Sequence, residues 1–161
     1  IFVNVEDKNE IVKIDIVNNK VEEHWSIEPG EEPTGLAIDI KTKRLFAGTN
    51  KKLIIVDASN GKVVANLPIG EGCDGVAFDN ALKYIYTSNG EGTMTIVKEN
   101  NANDFKVIEN IKTKKGARTI GNDETSHLVY LPTADFEAQA PGEKSRPKMI
   151  PGSFQILVYG K

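Results

Sequence analysis

The chain has 161 residues, 39% of them hydrophobic and 27% charged, with a formal net charge of −3. This is the balance of one ordinary globular domain and excludes a disordered polyelectrolyte, and the acidic excess gives no drive toward nucleic acid or anionic lipid. No apolar run approaches the ~20 residues needed to cross a bilayer, so no membrane insertion is expected.

The first unit opens at once in a strand-like run, IFVNV. It begins with Ile1, not Met, and no signal peptide is visible, so the expectation is of a fragment, a processed product or an incomplete chain. Three strands are predicted: Ile1–Val5, Ile11–Ile16 and Val21–Ile27. The second unit, residues 33–69, holds four short apolar runs at Gly35–Ile38, Leu45–Thr49, Leu53–Val56 and Val63–Leu67. None is long enough for a helix, and β-branched residues dominate the last two. The pattern predicts a four-stranded antiparallel meander.

The third unit repeats that pattern at Gly75–Phe78, Tyr84–Ser88, Thr93–Lys98 and Phe105–Ile111. The fourth carries Arg118–Gly121, Leu128–Pro132 and Phe154–Tyr159. The first unit therefore lacks its opening strand and the last its closing one. The repetition is also literal. DASNGKV from Asp57 matches DIVNNKV from Asp15, 42 residues earlier, and Asp39, Asp79 and Asp123 recur at the end of each unit's first strand. A period near 40 residues is that of propeller blades or solenoids.

The turns fit this reading. Asn60-Gly61 and Asn18-Asn19 supply the left-handed residues of tight hairpins, and the three recurring aspartates are expected to cap turns by accepting backbone N–H bonds. Residues 134–152 break the pattern with three prolines and two glycines. They read as a long inserted loop, either a binding loop or a solvated insertion, with Lys144, Arg146 and Lys148 as a basic patch. Cys73, the lone cysteine, lies in GEGCDG, a turn before a strand, where acidic neighbours disfavour a thiolate.

One meander cannot bury both its faces; stacking the meanders face to face does. Leu36, Phe46, Ile54, Val56, Val76, Ile85, Ile96 and Ile14 are the expected filling, each worth ~1.5–3 kcal/mol when fully buried. The fold class is therefore all-β: a β-propeller of four-stranded antiparallel blades, with units at 1–27, 33–69, 74–111 and 117–160. Closed rings have about four to eight blades, and fourteen strands amount to about three and a half. The open edges invite pairing. The expectation is the C-terminal half of a larger propeller, completed by N-terminal blades or a second copy.

RLFAGTN, KYIYTSN and the flanking IVD…GKVVANLPIGEG…GVAFD resemble the YVTN-type propeller repeat, most closely the YncE-like group of bacterial seven-bladed propellers. The resemblance covers nearly the whole chain, with the motif varied to FAGTN, IYTSN and, in the fourth unit, VYLPT. It implies a seven-bladed ring and a periplasmic or secreted location. It brings no shared catalytic signature and no cofactor.

In such a ring, the loop entering the innermost strand and the loop joining the second and third strands share the face around the channel mouth. Thr34, Asp74 and Arg118 open consecutive inner strands there, and Asp74 and Arg118 either hold a polar ligand or pair with each other. Asp7, Asn9, Asn89 and Glu91 add oxygen-bearing groups on neighbouring loops without the spacing of a calcium loop. These seven are the candidate ligand-binding residues.

No catalytic residue is nominated. His24 and His127 are the only histidines, neither beside a nucleophile motif, and G-x-S-x-G, H-E-x-x-H and the P-loop are all absent. The leading expectation is a non-enzymatic binding or interaction propeller for a protein or small polar ligand. The alternative is a metal-dependent hydrolase of the lactonase kind, with a channel-centred metal held by residues of several blades.

Overall fold

The computed structural model describes residues 1–138 and 147–160. It is built of fourteen strands in four antiparallel sheets, with a single 3₁₀ turn at Glu6–Lys8. The first sheet orders β1 (Phe2–Val5), β2 (Glu10–Asp15) and β3 (Lys20–Ser26). The second holds β4 (Leu36–Asp39), β5 (Arg44–Gly48), β6 (Lys52–Asp57) and β7 (Val63–Pro68). The third holds β8 (Cys73–Asp79), β9 (Tyr84–Asn89), β10 (Thr93–Asn101) and β11 (Asp104–Lys112). The fourth holds β12 (Gly121–Asp123), β13 (Leu128–Thr133) and β14 (Gln155–Tyr159). Each strand pairs with the next in sequence, so every sheet is a meander.

The sheets stack in chain order, with one apolar core in each gap. Ile11, Trp25, Ile27, Leu45, Ala47, Ile54 and Val56 fill the first. Phe46, Leu53, Ile55, Phe78, Ile85 and Val97 fill the second. Tyr86, Met94, Ile96, Ala117, Val129 and Leu131 fill the third. Successive side chains of a strand point to opposite faces. Leu45 and Ala47 of β5 therefore serve the first gap while Phe46 serves the second. This is why β5 reads as an unbroken buried run and the outer strand β7 alternates.

The expected core residues divide accordingly. Phe46, Ile54, Val56, Ile85 and Ile96 are buried, and Leu36 and Val76 are half-buried against the cores. Ile14 is the exception. It lies outside the three clusters and is half-buried. A register shift separates it from Lys13 against β3, and the same shift recurs at Ile55/Val56 and Ile96/Val97. Such bulges increase local twist, and here each lies between the last two strands of its sheet.

Two strand starts differ from the sequence reading by more than one residue. β8 begins at Cys73, two residues before the expected Gly75, because a bulge between Cys73 and Gly75 keeps the chain paired with β9. Cys73 is thus a strand residue, not a turn residue. β12 starts at Gly121 instead of Arg118. The backbone of Gly116, Ala117 and Arg118 is engaged locally and with Gly90, while the Arg118 carbonyl accepts the Ser88 hydroxyl at 2.5 Å.

The recurring aspartates cap turns as expected. Asp39 Oδ1 accepts the N–H groups of Lys41 and Thr42, Asp79 Oδ1 those of Ala81 and Leu82, and Asp123 Oδ1 that of Thr125. The long loop is pinned at its base. Phe136 pairs with Met149, Glu137 N–H donates to Lys148 O, and Ile150 N–H to Asp135 O. Lys144 and Arg146, expected in its basic patch, lie outside the described residues.

Candidate functional site

The loops before the inner strands and the loops between second and third strands meet on one face. Backbone bonds tie them in series: Asn50 N–H donates to Glu31 O, Gly90 N–H to Gly72 O, Glu91 N–H to Glu71 O and Gly116 N–H to Gly90 O. An open cleft of about 1350 Å³ lies among these loops. The third sheet contributes Glu71, Gly72, Gly90 and Glu91. Lys114, Lys115, Gly116 and Arg118 come from the approach to β12, and Ala134–Ala138 from the long loop's base. Gly116 has φ +82° and Phe136 lies over it, so the cleft floor there is bare backbone beside an aromatic edge.

Arg118 and Asp74 pair at 2.7 Å between Nε and Oδ2, half-exposed at the cleft. Of the two alternatives read from the sequence, the structure shows the ion pair. Lys114 bonds Asp135 and Lys51 pairs with Glu71 at 2.7 Å, so much of the rim charge is matched. Glu91 Oε1 accepts the Thr93 hydroxyl at 2.8 Å, which fixes its carboxylate.

The other candidates are placed differently. Asn89 is fully buried, donating to Thr93 and Thr95 and accepting from Thr87, so it braces the core end of β9. The Thr34 hydroxyl donates to Cys73 O at 2.5 Å and joins the second sheet to the third. Asn9 takes a left-handed φ of +53° and accepts the Glu32 N–H at 2.8 Å, joining the first sheet to the second. Asp7 sits in the 3₁₀ turn and does not line the cleft. Glu91 and Arg118 thus line the cleft, and Asp74 reaches it through Arg118. Sequence reasoning did not name Lys115, although its loop precedes an inner strand and so belongs to this face, nor Asp135, Phe136 and Glu137, for which the only signal was the long loop's length.

Cys73 is buried, and its thiol is pushed up to about 12 by that burial and by the neighbouring Asp74 charge, which leaves it an inert packing residue. His24 Nδ1 lies 2.9 Å from Glu10 on the first sheet. His127 Nδ1 lies 2.7 Å from Asp79 at the boundary between the third and fourth sheets. Neither lines the cleft. Among the described residues no three His, Cys, Asp or Glu side chains are grouped to hold a metal ion.

No family model matches the chain, and no curated protein matches it. Solved structures do. A chain of Kuenenia stuttgartiensis hydrazine synthase superposes with a TM-score of 0.73 at 11% identity, over 83% of this chain and 38% of that one. A chain of a mitotic checkpoint complex superposes with a TM-score of 0.67 at 10% identity, over 78% of this chain and 41% of that one. At such identities the likeness is one of fold. The chain spans about two fifths of each of those chains, and it has the fold of a β-propeller sector, four blade-like sheets stacked in chain order.

Proposed function

We propose that this chain is part of an interaction propeller similar to the YVTN-repeat, YncE-like group, working in the periplasm or outside the cell. Its loop-face cleft takes an extended segment of a partner protein that carries charges of both signs. The observation that carries this reading is the cleft itself. It combines glycine backbone, the exposed Phe136 ring and charges of both signs, with Arg118 and Glu91 already held in place. Exposed backbone and an aromatic edge suit a peptide, and matched rim charges suit a polar one, because complementary charge selects partner and register.

The stack is open at both ends, and Ile156 and Val158 are exposed on the fourth sheet as Val3 and Val21 are on the first. Further blades covering these faces belong to the same proposal. Nucleic acid does not, given the acidic balance.

The test is selection of peptides from a displayed random library on the immobilised chain, followed by fluorescence anisotropy with the winners. Glu91→Ala and Arg118→Ala are expected to weaken binding about tenfold, and Ile108→Ser on the outer strand to leave it unchanged. Peptides whose affinity ignores both cleft substitutions would refute the assignment.

A further inference from the structure

The segments that lead into the second, third and fourth sheets align without a gap. Gly30, Gly70 and Lys114 are equivalent, as are Glu31, Glu71 and Lys115, and Thr34, Asp74 and Arg118. The last segment therefore carries three cations where the first two carry glycine, glutamate and threonine or aspartate. Lys114 bonds Asp135. Arg118 gives its Nε to Asp74, and among the described residues its two Nη groups bond nothing. Lys115 is left unmatched by the repeat itself. Its equivalent, Glu71, pairs with Lys51 at 2.7 Å. Ile69 N–H donates to Lys51 O and Thr113 N–H to Gly92 O, so Gly92 stands in the place of Lys51. The residue that would meet Lys115 thus has no side chain, and a Cβ built on it would press on the Lys115 N at 3.0 Å. Lys115 is exposed on the cleft, and among the described residues no acid meets it.

Glu91 is the opposite charge on the same cleft, and it is held. The buried Asn89 amide donates to Thr93 Oγ1 at 3.0 Å, and the Thr93 hydroxyl in turn donates to Glu91 Oε1 at 2.8 Å. These three polar groups sit against Gly70, where a Cβ would overlap all of them. The cations flank the hairpin tip that carries Glu91. The Arg118 side chain runs over Gly90, and the Lys115 backbone lies against Gly92. Glu91 and Lys115 nonetheless form no ion pair with each other.

We propose that Glu91 and the Lys115–Arg118 pair form a two-point socket for a partner segment that presents a basic and an acidic side chain two positions apart. The basic one meets Glu91, and the acidic one lies between Lys115 and Arg118. Alternate residues of an extended segment share a face, about 7 Å apart. A carboxylate already fixed by Thr93 has little freedom left to lose on binding. A guanidinium whose outer edge is open suits a carboxylate through two parallel bonds. A wrong sign at either point is repelled, which makes the socket selective. Thr93 acts through Glu91 and is a positioning residue. The proposal rests on the reading of the cleft as a peptide site, and it names the side chains that the cleft selects.

The probes are capped pentapeptides, acetyl-Gly-Lys-Ser-Asp-Gly-amide and its Lys→Gln and Asp→Asn counterparts. They are titrated against the intact chain at low salt and followed by amide NMR shifts. The parent peptide is expected to bind saturably and to move the amides of Glu91, Lys115 and Gly116. Each counterpart is expected to bind about fivefold more weakly. With Lys115→Gln the Asp→Asn penalty is expected to fall to about twofold while the Lys→Gln penalty stays. With Thr93→Val, which releases the Glu91 carboxylate, only the Lys→Gln penalty is expected to shrink. No saturable binding, equal affinities for the three peptides, or an Asp→Asn penalty unchanged by Lys115→Gln would overturn the proposal. So would a stability coupling between Glu91→Gln and Lys115→Gln, because the two charges would then serve each other. The wider peptide reading fails separately. Library-selected peptides that ignore Glu91→Ala and Arg118→Ala refute both, whereas selected peptides that need those residues but ignore Lys115→Gln refute the socket alone.

Discussion

Lys83 Nζ lies 2.6 Å from Asp39 Oδ2 across the boundary between the second and third sheets, and the aspartate is 1% exposed. The ammonium also donates to Asn80 Oδ1 at 3.0 Å and sits 5.3 Å from the centroid of the Phe78 ring. A buried carboxylate without its partner is costly, because desolvation is no longer offset. Lys83→Met is therefore expected to lower stability by about 2 kcal/mol, reduced from the cost of a fully buried pair because the lysine is partly exposed. Urea denaturation of Lys83→Met, Asp39→Asn and the double variant measures it. A coupling energy near zero in that cycle would show that the contact contributes nothing.

The pH dependence of this cluster has two opposing parts. Burial by itself raises the Asp39 carboxyl, but the Lys83 hydrogen bond and the N–H groups of Lys41 and Thr42 outweigh it and hold the group at about 2. Its contribution to stability is present above its unfolded value near 4 and is lost as pH falls toward 2. The Glu99 carboxyl lies against Asp39 and is raised, first by burial and then by that neighbour, although the Thr42 hydroxyl favours its charged form. A raised acid stabilises the fold while protonated, and that contribution is lost as pH rises past its ordinary value. Glu99→Gln keeps an acceptor for Thr42 and places an amide beside Asp39. It is expected to raise stability at pH 7 by about 1 kcal/mol and to have less effect at pH 4. Thermal unfolding at both pH values checks the sign.

The third prediction concerns the core. Phe46 is fully buried between the second and third sheets, with the Phe78 ring centroid 5.1 Å away and that of Phe105 6.2 Å away. Phe46→Ala removes both aromatic contacts and leaves a cavity between two sheets that cannot collapse independently. The expected cost is about 3–5 kcal/mol. Ile108→Ser, on the exposed side of β11, is expected to stay within about 0.5 kcal/mol.

These cases show what could be read from residues in a row. Alternation and a 42-residue repeat announce the strands, because side-chain period and turn chemistry are local. The ion pairs between sheets are not local. Asp39 and Lys83 are 44 residues apart, and one lysine looks like any other surface lysine until the sheets are stacked. Asn89 misled for a related reason. Asn-Gly suggests an exposed turn, yet a ladder of Thr87, Thr93 and Thr95 satisfies the amide and draws it inside. In the cleft, Arg118 and Glu91 were legible because repeat alignment places them on the loop face. Phe136 was not, because a long loop has no period that fixes which side chain turns back onto Gly116.

Gly61 and Trp25 supply the fourth prediction. The hairpin between β6 and β7 turns at Gly61, with φ +72°, and a Cβ built there would overlap the Trp25 indole at Cγ. The indole of the first sheet is thus seated directly on the backbone of the second, 6% exposed, with its N–H donated to Glu23 at 3.0 Å. Gly61→Ala meets two costs at once. The left-handed backbone penalises any L side chain by about 1–2 kcal/mol, and the methyl group must push the indole off its seat. Trp25 is the chain's only tryptophan, so its emission reports this contact without interference. Gly61→Ala is expected to shift that emission to longer wavelength and lower the unfolding midpoint. Asn60→Ala leaves the glycine in place and gives up the Asn60 bond to Lys62 N–H, so it is expected to cost less and leave the spectrum unchanged. Equal spectra for Gly61→Ala and the unaltered chain would mean that the hairpin can move aside, and that the first two sheets are held together without this seat.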